Sequence, residues 1–304
     1  MPRKFILTPA PMASARFFRF FRYLSIATLR KTVENALKQR LPGLASEMAY
    51  NAMLSIFPAT LAALTAIGLF GASTKNSFQG LVSQLSEVAP KEVLSLLGDF
   101  ARDQLYTSRN GGLFSLSFIA ALWVASSALN SAMIAFDHIY EIPQKQARPF
   151  WKAKLVAIAL TIGTIILLAI ASLSVFISNL IIQNIAKESG IFAPGLLKLW
   201  QLASWPLALG MVAIAAAFTY RYGPSRWKPG TPILPGAILA ALLWATASGL
   251  FRLYVSYFGN YNRAYGAVGA VIVLLLWLYL SALALLIGAQ LNVTVGEAMR
   301  SRRK

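Results

Sequence analysis

Residues 44–70 read LASEMAYNAMLSIFPATLAALTAIGLF, and this run decides the fold class. It is apolar and long enough to cross a bilayer as a helix, which takes about 20 residues. Yet it carries Glu47, Tyr50, Asn51, Ser55 and Pro58. Spaced four apart, Glu47, Asn51 and Ser55 share one helical face. Ionisable and amide groups are costly in hydrocarbon unless they meet protein or water, so Asn51 and Ser55 are expected to look inward, whereas Glu47 and Asp137 sit near cytoplasmic span ends within reach of water. Pro58 removes a backbone hydrogen bond in mid-span, and a kink is expected there.

The rest of the chain agrees. Hydrophobic residues make up 57% of the 304 and charged residues 12%, about half the charged share of a soluble domain. A chain so composed cannot clothe a soluble surface. The reading is an all-α polytopic membrane protein with spans near 44–70, 113–137, 155–182, 199–220, 233–258 and 265–292. Ahead of them, ARFFRFFRYL (15–24) sets three arginines against four large apolar residues, the pattern of a helix lying in the membrane interface. That helix is expected to run to about Arg40 and to end at Pro42-Gly43. Between spans one and two, residues 71–112 read as two short amphipathic helices divided by Pro90, outside the hydrocarbon. The domain division is a cytoplasmic tail and interfacial helix (1–43), one six-helix membrane domain (44–292) and a basic cytoplasmic tail (293–304).

Charge sets the orientation. With six spans both ends lie on one side, and that side holds 20 of the 28 Lys and Arg residues. The positive-inside bias puts both termini in the cytoplasm of a bacterial inner membrane. The net charge of +18 is explained by such loops meeting anionic lipid headgroups, with no nucleic-acid partner required. The absence of cysteine and the single His138 exclude thiolate and multi-histidine metal sites. No nucleophile elbow, zincin helix or phosphate loop occurs, so neither a cofactor nor an enzymatic activity is expected.

Two polar stripes compete as candidate sites. In span two, Trp123, Ser127, Asn130 and Asp137 lie near one face. Together with Tyr50, Asn51, Ser55 and Pro58, Ser127 and Asn130 either line a shared cavity or join helices by hydrogen bonds, worth about 0.6 kcal/mol each in membranes. Arg252 in span five either snorkels to headgroups or offers a fixed positive charge to an anion. In span six, Tyr265, Gly266, Gly269, Ala270, Gly288 and Asn292 are packing candidates, because small residues let membrane helices approach closely.

Three blocks resemble the YihY/BrkB family of bacterial inner-membrane proteins: LASEMAYNAMLSIFPATLAALTAIG, SSALNSAMIAFDHIYEI and YGAVGAVIVLLLWLYLSALALLIGAQLN. The resemblance spans about residues 30–295. Tyr50, Ser55, Pro58, Asn130, Tyr265, Gly266, Gly288 and Asn292 match its pattern, whereas Glu47 departs from it. It implies six spans with cytoplasmic ends but no established activity. Members have carried a ribonuclease label, regarded as misattributed, and a serum-resistance label. The scattered acids and lone histidine here offer no cluster to hold catalytic metals. The function expected is transport or handling of lipids or amphiphiles in the cell envelope. The alternative is a non-transporting scaffold that recruits envelope partners. Expected partners are anionic membrane lipids, with a homo-oligomer or an envelope protein as a further possibility.

Overall fold

The computed structural model describes residues 23–69, 119–167, 193–228, 230–257 and 261–301. Expectations for the first 22 residues and for 71–112 fall outside these. All regular structure among the described residues is helical. In chain order the helices are α1 (Ile26–Lys38), α2 (Leu41–Leu69), α3 (Ile119–Ile139), α4 (Phe150–Leu167), α5 (Ala193–Tyr222), α6 (Leu234–Tyr257) and α7 (Tyr261–Ser301). Four segments are long and apolar enough to cross a membrane: Ile119–Ile139, Phe150–Leu167, Leu234–Tyr254 and Val271–Ser301. Their outward residues are large and apolar, among them Ile134, Leu155, Ile165, Leu242, Leu253 and Val271. A soluble helix would bury such a stripe; here it faces out, as lipid contact requires. The chain is a multi-pass membrane protein.

α1 starts at Ser25, whose hydroxyl accepts from the Thr28 N–H at 3.3 Å. It ends at Lys38, within two residues of the expected Arg40 and short of Pro42-Gly43. The break comes at Arg40, which takes a left-handed φ of 56°. Pro42 then sits in the first turn of α2, where its missing N–H would have had no partner anyway. α1 turns its small and polar residues Thr28, Thr32 and Ala36 inward and leaves Ile26, Leu29, Val33 and Leu37 exposed. Its apolar stripe therefore points away from the bundle. Lys31 ties it to Glu297 of α7 at 3.1 Å, an exposed pair of small energetic weight.

α7 is the hub, packing on α6, α2, α1 and α3. The core gathers the start of α2 (Leu41, Ala45, Met48), the end of α3 (Phe136, Ile139, Tyr140), the end of α5 (Ala216, Tyr220), the start of α6 (Ala237, Ala240) and the second half of α7 (Leu286, Ala289, Val293). Five helices thus present alternating ends to one region. Alanine dominates this core, which suits a bundle held by close backbone approach rather than by a hydrophobic drive. Aromatic rings fill its wider parts: Phe136 meets Tyr220 edge-on at 5.6 Å.

Among the described residues, α6 and α7 approach each other most closely. A Cβ on Gly288 would meet the Gly236 carbonyl and the Tyr220 hydroxyl, and one on Gly236 would meet the Gly288 carbonyl. Only glycine fits at either position. Beside it, buried Asn292 Oδ1 accepts from the Gly236 N–H at 2.7 Å. Gly236 is the third residue of α6, so Asn292 caps that helix from its neighbour. The Tyr220 hydroxyl donates to the Leu285 carbonyl at 2.7 Å and pins α5 to the same crossing.

Candidate functional site: a polar seam along the second span

The inward face of α2 is narrower than its sequence pattern implies. Leu41, Ala45, Met48, Ala49 and Ser55 are buried, whereas Glu47 is exposed and Asn51 half-buried. Residues four apart drift by about 40° per step, so Glu47 and Ser55 point about 80° apart. Only the last of the three reaches the interior. The Ser55 hydroxyl lies 2.6 Å from the Asn51 carbonyl and 3.3 Å from the Val124 carbonyl, bridging α2 to α3. The Asn51 amide donates back to the Glu47 carbonyl at 3.0 Å. Tyr50, 60% exposed, lies outside the seam, and Pro58 is half-buried.

On α3, Ser126 interrupts the helix, its hydroxyl donating to the Trp123 carbonyl at 2.7 Å. Just beyond, Ser127 meets a residue that sequence reasoning missed. Lys154, on α4 and only 6% exposed, donates from Nζ to Ser127 Oγ at 3.3 Å. Its ammonium also stands 5.0 Å from the centre of the Trp123 ring, a cation–π contact. Trp151 packs at 6.2 Å on the same indole. No carboxylate among the described residues pairs with Lys154. In the sequence Lys152 and Lys154 break the apolar run, which places the start of the span at 155 and leaves Lys154 outside it. The available signal was Arg148-Pro149, since proline marks helix starts. Asn130 is half-buried one turn further along α3, with no side-chain bond to a described residue.

Asp137, at the end of α3, has a structural partner. Its carboxylate accepts from the Ser225 N–H at 2.6 Å and from the Ser225 hydroxyl at 2.5 Å. Arg148 closes the same joint, donating to the Gly223 carbonyl at 2.7 Å and the Tyr222 carbonyl at 3.1 Å. Burial lowers the Arg148 pKa, and the Asp137 carboxylate opposes that shift. The α3–α4 and α5–α6 loops are therefore locked together by charge-assisted bonds.

Arg252 is exposed on α6. Gly269 is buried on α7. Tyr265, Gly266 and Ala270 share that helix, but their surroundings fall outside the described residues. Gly288 and Asn292 come together at the α6–α7 crossing. Among the described residues no three of His, Cys, Asp and Glu converge as a metal site would need.

Known proteins place this architecture. The chain is 31% identical over 250 residues to the ribonuclease-like protein YfkH of Bacillus subtilis, covering 81% of this chain and 87% of that one. It is 26% identical over 262 residues to a UPF0761 membrane protein of Photobacterium profundum, covering 85% and 77% respectively. A UPF0761 membrane protein of Tolumonas auensis is 27% identical over 267 residues, covering 86% and 83%. No solved structure matches. Residues 32–304 match the family described as Virulence factor BrkB, and the chain belongs to that family.

Proposed function

We propose that the protein binds anionic lipids or amphiphiles in the bacterial inner membrane and moves or presents them along the α2–α3–α4 seam. One observation carries this: Lys154 is buried in a membrane-spanning helix beside Ser127 and Trp123, with no carboxylate partner among the described residues. A desolvated ammonium costs several kcal/mol unless something compensates it. Ionisable groups inside membrane bundles mark substrate paths by default. A negatively charged headgroup would supply the missing charge, with the Ser127 hydroxyl and the Trp123 face already in place to orient it.

The frame for this is six crossings with both termini cytoplasmic, and α1 lying in the interface. Its support is the alternation of helix ends at the core, the outward apolar stripe of α1 and the bias of Lys and Arg to one side. We assign it no catalytic step and no nucleic-acid partner. The test is reconstitution into vesicles with fluorescent phosphatidylglycerol. Faster transbilayer movement or saturable binding relative to protein-free vesicles, falling with Lys154→Gln, supports the proposal, and neither occurring refutes it.

A second reading has its own support. Ser55 and Asn51 are satisfied by backbone carbonyls within the bundle, as a rigid scaffold that recruits envelope partners or a second copy would have them. That reading expects Lys154 substitutions to change stability and leave lipid binding untouched.

A further inference from the structure

A pocket of about 450 Å³ opens where α5 ends and α6 begins, walled by Ala217, Arg221, Trp227, Thr231, Ile233 and Leu234 among others. Its volume is in the range of small-ligand sites. The walls are mainly apolar, and the one charge among them is positive. Residues 221–235 contain Arg221, Arg226 and Lys228 and no acid, so nothing in the segment neutralises that charge.

Arg221 is held in a particular way. Its guanidinium lies over the Trp227 ring at 5.2 Å, and Trp227 packs in turn on Tyr140 at 5.9 Å. Arg221 is exposed, and this cation–π contact uses none of its N–H donors, which match a phosphate or carboxylate. Among the described residues Arg221 makes no ion pair or hydrogen bond. Thr231 lines the same pocket, and its buried hydroxyl, without a partner among the described residues, lies toward Gly296 of α7.

We propose that this pocket is a second site, which seats the phosphate-bearing head of an anionic amphiphile. The Arg221 edge would hold the phosphate, and the Ile233 and Leu234 wall the first methylenes of its chain. Inorganic phosphate could use the arginine but gains nothing from the apolar wall. The site shares no residue with the Lys154 seam, so either assignment can fail while the other stands.

The test uses the full chain in lipid nanodiscs with photoactivatable phosphatidylglycerol, adducts being mapped by peptide mass spectrometry. Adducts on 217–234 should form with phosphatidylglycerol and fall about tenfold with Arg221→Gln, the loss expected for one charge-assisted contact. Arg221→Lys should restore part of the labelling, because the charge returns without the fork. Equal labelling by phosphatidylcholine, unchanged labelling of a folded Arg221→Gln, or displacement by inorganic phosphate alone would each overturn the proposal. The headgroup comparison needs no variant, so a misfolded substitution does not spare the idea.

Discussion

Replacing Asn292 tests how the two most extensively packed helices are joined. Asn292 is fully buried, and its Oδ1 is the partner of the Gly236 N–H at 2.7 Å. The first turn of α6 has few other resources: Pro235 has no N–H, and the Ala237 N–H goes to the Ile233 carbonyl at 3.1 Å. In Asn292→Ala a buried donor loses its acceptor, which costs about 1–3 kcal/mol. The cap scale of about 0.5–2 kcal/mol describes the same bond and is not added to it. One term runs the other way, because Asn292 Nδ2 already lacks a partner and its removal relieves a standing cost. A net loss of about 1–2 kcal/mol follows, roughly a tenfold change in the unfolding equilibrium. Asn292→Leu removes the same acceptor without leaving a void, so it should lose a similar amount. Equilibrium unfolding in mixed micelles, followed by circular dichroism, measures both. If both variants stay within about 0.5 kcal/mol of the parent, the change typical of neutral surface substitutions, the cap is not what secures α6.

The same crossing predicts that Gly288→Ala forces α6 and α7 apart and costs about 1–3 kcal/mol. Gly249→Ala, where a Cβ meets nothing within 4 Å, should be neutral or slightly stabilising, and thermal melting in detergent compares the two. Asp137→Asn should loosen the joint with Ser225 by about 1–3 kcal/mol, and limited trypsinolysis should then cut faster after Arg226. Unchanged cleavage would show that the Arg148 bonds hold the loops without Asp137.

The membrane character was legible because it rests on composition and on runs that nothing else explains. Helix ends were less so, for reasons visible at particular residues. The start of α4 at Phe150 was hidden by Lys152 and Lys154, which read as loop until the structure gave one of them a buried place against Trp123. Arg40 breaks the chain through its backbone angle, and arginine carries no signal for that. The pairing of Gly288 with Asn292 showed in the spacing of small and polar residues, but the cap did not, because its other half lies 56 residues away. The partner of Asp137 is hidden in the same way, because Ser225 is 88 positions distant.

The central claim is that the lone charge of Lys154 awaits an external anion. Ser127→Asp tests it most directly, because the Ser127 hydroxyl already lies 3.3 Å from Nζ and a carboxylate there would neutralise the ammonium from within. Labelling of the α3 and α4 peptides around Ser127 and Lys154 by photoactivatable phosphatidylglycerol in nanodiscs should fall about tenfold or more, as losing a charge-assisted contact requires, while thermal stability holds or rises. Labelling of those peptides that persists undiminished in a stable Ser127→Asp protein would contradict the account.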